Sequence, residues 1–205
     1  MTDTKIISKE LVDNAYTYKE YKDLIERLIS EKKTTGPEQS ESRSEYTKAN
    51  FEKMVRIESA MILRNDLADE LNDFNKKIIW LVLTEAWCGD TANANPVFVR
   101  ISELNNNIKL RFILRDENTE IMDAYLTNGT RSVPKLICLD AKDLTELGTW
   151  GPRPKALQEL VKEIKNKPDY DFNELIKQVH SWYKKDETQS TQKELLELIR
   201  LWKNF

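Results

Sequence analysis

The residues best equipped for chemistry are Trp87-Cys88-Gly89-Asp90-Thr91. A strongly apolar run, Ile78 to Ala86, leads into them, and a helical pattern follows. A cysteine at such a strand-to-helix turn meets free N–H groups and the positive end of a helix dipole, which stabilise a thiolate. Thr91 lies one turn on, placed to give the sulfur a hydroxyl hydrogen bond. Both effects pull a thiol below its ordinary pKa of about 8.5. Asp90 opposes them, because a carboxylate beside a thiolate disfavours the second charge. Desolvation in an apolar groove would oppose them as well. The sum depends on geometry. Disulfide exchange within the motif needs a second thiol three residues on, and that place is Thr91. Farther along, Thr130-Arg131-Ser132-Val133-Pro134 leads into another apolar strand.

The surrounding pattern predicts the elements that hold these residues. Strand 78–86 is nearly all apolar, as a central strand buried on both faces must be. Helix 91–105, strand 108–115 and helix 118–127 follow. Strands 134–140 and 144–150 flank the short turn Asp140-Ala141-Lys142-Asp143, and helix 154–166 comes next. A β-α-β start implies parallel strands with a right-handed crossover. The short turn forces the last two strands antiparallel. The expected fold class is α/β, a four-stranded mixed sheet in β-α-β-α-β-β-α order with helices on both faces. Helices are also expected at 17–32, 45–63, 66–74, 172–184 and 191–203. Capping-box spacing opens the first at Thr17 and Glu20 and the last at Thr191 and Glu194. We therefore read three parts: a helical N-terminal extension over 1–75 packed on the domain, the α/β domain over 76–166, and a helical tail over 167–205.

Composition narrows the function classes. The 205 residues are 33% charged and 40% apolar with net charge −3, which suits a polar-surfaced globular protein. That balance points to neither a nucleic-acid nor a membrane partner. Two cysteines are too few for a disulfide framework, and Cys138 reads as strand core. Residues 1–10 are mostly polar, so no signal stretch is expected, and a reducing cytoplasm is the natural setting. A lone His180 argues against a histidine metal site or catalytic triad. Glu85, Asp90, Arg115, Asp116 and Glu117 fall at the carboxyl ends of the first two strands, where open sheets bind ligands. The favoured reading is a solvated rim of surface ion pairs.

Residues 76–166 resemble a thioredoxin-like domain that has lost its second motif cysteine. The longer pattern resembles a bacterial thioredoxin-like family of unsettled activity. It is carried by Lys33-Thr34-Thr35-Gly36-Pro37, Trp87-Cys88-Gly89-Asp90, Leu114-Arg115-Asp116-Glu117-Asn118, Pro134-Lys135-Leu136-Ile137 and Gly148-Thr149-Trp150-Gly151-Pro152-Arg153-Pro154. That resemblance covers nearly the whole chain. It implies that Pro134 is cis and stands beside the thiol. It implies that Val133 N–H and C=O can pair with an extended peptide or a thiol ligand, with Trp87 as an apolar wall. Val82 stands where thioredoxin has a buried acid, a departure that weighs against the dithiol cycle.

Two functions follow as expectations. In the first, Cys88 is the nucleophile of a single-thiol oxidoreductase. Its resolving thiol comes from glutathione as co-substrate or from another protein. In the second, Cys88 is incidental, and Trp87, Gly89, Asp90, Thr91, Val133 and Pro134 line a groove for a peptide or protein. No resident cofactor or metal is expected in either. An assembly scaffold built from the added helices is a weaker third.

Overall fold

The computed structural model describes residues 6–205. The first five residues, half of the polar opening read above, lie outside the described residues.

β1 (Ile78–Thr84) is buried along its whole length, which explains its unbroken apolar run. It pairs parallel with β2 (Ile108–Leu114) and antiparallel with β3 (Lys135–Asp140). β4 (Glu146–Trp150) pairs antiparallel with β3, giving the order β2-β1-β3-β4. The helix α5 (Gly89–Leu104) makes the crossover from β1 to β2, and the short α6 (Thr119–Ala124) follows β2. This is the expected α/β thioredoxin-like fold.

Alternation along the strands divides the core in two. One sheet face carries Trp80, Val82, Phe112, Leu136 and Cys138. On it pack Tyr21 from α2 (Tyr18–Ser30), Met54 from α3 (Glu41–Ala60), Leu67 from α4 (Asn65–Asn72), Phe98 from α5 and Trp202 from α9 (Gln189–Trp202). The other face carries Ile79, Leu81, Leu83, Ile113 and Ile137, covered by Val12 of α1 (Lys9–Asn14) and by Ile121 and Met122 of α6. α7 (Lys155–Lys165) and α8 (Phe172–Asp186) bury Leu157, Val161, Leu175 and Val179 in a third, separate cluster.

Several elements differ from expectation. α1 has six residues and too little periodicity to be read; it leads to Tyr16, which forms an antiparallel bridge with Phe112 at the β2 edge. The Thr17–Glu20 capping box is present. The one expected at Thr191 and Glu194 is not: α9 begins at Gln189 and Thr191 is buried inside it. Glu194 instead accepts hydrogen bonds from Trp150 Nε1 and Lys155 N, each at 2.7 Å. Gly148, at φ 150°, lies so close to Trp202 that a Cβ there would stand 2.7 Å from the indole nitrogen. α9, from the tail, thus covers β4.

Candidate functional site

β1 ends at Thr84, and Glu85, Ala86 and Trp87 turn the chain so that Cys88 becomes the N-cap of α5. Cys88 is partly exposed. Its Sγ donates to the Val133 carbonyl oxygen at 3.3 Å. The Val133–Pro134 peptide is cis, as the resemblance implied. Gly151, at φ 113°, is required here, since a Cβ would collide with the Pro134 carbonyl oxygen.

The balance of effects on the thiol comes out upward. Burial pushes Cys88 above its ordinary value, and the Asp90 charge adds to this. Hydrogen bonds from the Thr91 N–H and hydroxyl and from the Asp90 N–H pull the other way without prevailing. Cys138 is fully buried, its thiol also pushed up by burial, and both cysteines are free.

Asp90 is nearly buried. One oxygen accepts from the Tyr183 hydroxyl at 2.9 Å, and the other is 2.5 Å from Arg153 Nη2. Thus α8 and the loop before α7 both converge on the residue two after the cysteine. Thr91 is buried beneath it and accepts from Thr84 Oγ1 at 3.5 Å. Thr84 also accepts from Asn95 Nδ2 at 3.2 Å and lies 3.3 Å from the Tyr21 hydroxyl.

The solvated rim expected at the strand ends is not what forms. Glu85 is fully buried, accepting from Thr35 Oγ1 and from the Asp116 N–H at 2.9 Å. Thr35 Oγ1 in turn accepts from the Ala86 N–H at 3.0 Å. Burial raises the Glu85 pKa against those bonds. Arg115 grips Asp116 through two bonds of 2.8 and 3.1 Å. Only Glu117 stays exposed, as a rim residue would.

Trp87 is not a bare apolar wall. The guanidinium carbons of Arg43 and Arg115 lie 4.0 and 4.7 Å from its ring centroid, within cation–π range. Asn50 Nδ2 donates to its carbonyl oxygen at 2.9 Å. Gly89 leaves room against Asn50, and its own carbonyl accepts from Asn93 Nδ2 at 2.7 Å. The structure therefore brings Trp87, Cys88, Gly89, Asp90, Thr91, Val133 and Pro134 into one region, with Val133 and Pro134 buried. Sequence reasoning did not assign Thr35, Arg43, Asn50 or Tyr183 to this region. The motif Thr34-Thr35-Gly36-Pro37 was the available signal, and its polar residues have no periodicity to read. Among the described residues, no group of three or more His, Cys, Asp or Glu is placed to hold a metal.

A cis proline beside a cysteine at the N-terminus of the crossover helix, under a sheet of this order, defines a thioredoxin-fold protein. A family model described as Thioredoxin matches residues 36–165, and the chain belongs to that family. The fold is also similar to two crystal structures, each at 18% identity and TM-score 0.57. One is an HIV epitope scaffold, with 93% of this chain and 96% of that chain covered. The other is a protein of unknown function from Pseudomonas aeruginosa, with 90% and 98% covered. No curated protein matches the chain.

Proposed function

We propose that the chain is a thioredoxin-fold binding protein whose surface beside Pro134 takes an extended peptide, with Cys88 as a resident group and not as the first thiol of a dithiol pair. The observation that carries this reading is the state of the sulfur. It donates its hydrogen to Val133 O and is pushed up by burial and Asp90. A thiol held in that form is a poor nucleophile at neutral pH, because the thiolate is the attacking species. Thr91 fills the second motif position and Cys138 is buried in β3, so no resolving thiol lies one turn away.

One observation favours the single-thiol alternative. Three donors from Asp90 and Thr91 act on the sulfur, and they would hold a thiolate once formed. In that reading Cys88 thiolate attacks a disulfide, forming a mixed disulfide and expelling the other half as its thiolate. Glutathione or a second protein thiol then attacks the sulfur of the bound half, forms a new disulfide with it and expels the Cys88 thiolate.

The test is iodoacetamide alkylation of Cys88 against pH in a Cys138→Ser background, together with peptides selected from a random library. The expected result is slow alkylation with a midpoint above about 8.5, the free-thiol value. Selected peptides should bind Cys88→Ser within about twofold of the parent protein, a difference of about 0.4 kcal/mol. A midpoint well below 8.5, or binding lost with the thiol, would overturn the binding reading in favour of the single-thiol one.

A further inference from the structure

A groove of about 770 Å³ opens at the β2 edge of the sheet, between α2, the end of α3 and α5. None of the residues gathered around Cys88 lines it. Its size falls within the range of small-molecule sites. Most of its charges cancel in place. Lys19 pairs with Asp23 at 2.6 Å, Lys22 with Glu58 at 3.1 Å, Arg100 with Glu103 at 3.6 Å, and Lys109 with Asp13 at 3.1 Å. Among the described residues, the lining charges left without a salt bridge are one of each sign, Arg111 and Glu26. Arg111 Nη1 reaches no carboxylate and donates to the Leu110 carbonyl oxygen at 2.8 Å.

The groove also gathers buried polar atoms that have no partner. Tyr18 OH, Glu58 Oε1 and Arg111 Nε are all buried without a hydrogen bond, and all three residues line it. Such atoms are rare in native proteins, and each one asks for an explanation. Lys22 ties two of them together, with Nζ 3.1 Å from Glu58 Oε2 and 5.4 Å from the centroid of the Tyr18 ring. The unmet buried atoms are therefore two donors, Arg111 Nε and Tyr18 OH, and one acceptor, Glu58 Oε1, with the exposed carboxylate of Glu26 at the same groove.

We propose that this groove binds a small zwitterion, a free amino acid or a short peptide with open termini. Arg111 and Tyr18 hold its carboxylate, and Glu26 and the ionised form of Glu58 hold its ammonium. A simple anion would leave Glu58 Oε1 unmet, and a simple cation would leave Arg111 Nε unmet. The guanidinium fork matches a carboxylate in two parallel bonds, which a lysine at 111 does not reproduce. Arg111 and Glu58 have long side chains, which turn toward the ligand as it enters. Bound water satisfying the same atoms is the competing explanation.

The experiment is an NMR titration of the full chain with glycylglycine, N-acetyl-glycylglycine and glycylglycinamide, then with the twenty free amino acids. The expected result is saturable amide shifts confined to α2, the end of α3, α5 and β2 for at least one zwitterion. For that compound, blocking either terminus weakens binding at least tenfold. Arg111→Gln weakens it similarly, and Arg111→Lys recovers part of the loss. Equal binding by the blocked forms, or no saturable shift from any probe, overturns the proposal in favour of bound water. The blocked probes act on the unaltered protein, so the result does not depend on a variant folding.

Discussion

Asp90 controls its neighbour through charge. Replacing it by Asn removes one of the effects that hold the Cys88 thiol up. The alkylation midpoint of Asp90→Asn should therefore move down relative to the parent. The same change strips Tyr183 and Arg153 of a charged partner. Urea unfolding should show a loss of about 1.5–3 kcal/mol, the usual worth of a hydrogen bond to a charged group. Glu58 gives a separate pH signature. Burial and Glu103 push it up to about 7. Lys22 at 3.1 Å favours the carboxylate, but Oε1 is buried without a partner, so burial prevails. The folded state then holds a proton that the unfolded chain releases near 4.3. Stability from this group is present below about 4.3 and is lost as pH rises through about 7. Urea midpoints measured across that window should fall with pH in the parent and flatten in Glu58→Gln.

Elements were readable where their own residues decide them. The apolar run of β1, the capping box of α2 and the short turn between β3 and β4 each carry local physics, and the structure has all three. Reading failed where a distant group took a residue away. Glu194 has capping-box spacing, yet Trp150 and Lys155 bind it. Glu85 and Asp90 look like rim acids, yet Thr35 from before α3 and Tyr183 from α8 enclose them. The motif that names the candidate site was legible at once. Its enclosure was not, because Arg43, Asn50 and Tyr183 lie far away in sequence and meet the site only through packing. Gly151 connects the two levels. Gly151→Ala places a Cβ against the Pro134 carbonyl at φ 113°. A lowered melting temperature, equivalent to about 1–3 kcal/mol, is expected from that strain.

The whole molecule is closed by its tail. Trp202 is 1% exposed and sits edge-on to Trp80 of the central strand at 6.1 Å. Trp202→Ala should cost about 3–5 kcal/mol, read from the shift of the urea midpoint. Gln192 of α9 accepts from the Arg64 N–H and donates to the Ile62 carbonyl, while Arg200 and Lys203 both reach Glu70. Deleting residues 189–205 should therefore abolish cooperative unfolding of the entire chain, not trim an appendage. Circular dichroism melting of the shortened protein tests this, and a sharp transition at the parent temperature would refute it.

The place of Trp202 also bears on the order of events during synthesis. Chains emerge from the ribosome N-terminal end first, at about 5–20 residues per second. Trp80 leaves the exit tunnel long before its partner Trp202, which lies far downstream of it in the chain. Until α9 emerges, one face of the sheet lacks its final covering helix. The growing chain must remain in an incomplete, apolar-exposing state until α9 arrives. Chaperone occupancy of nascent chains should therefore persist until α9 has emerged, longer than in a variant permuted to place α9 first.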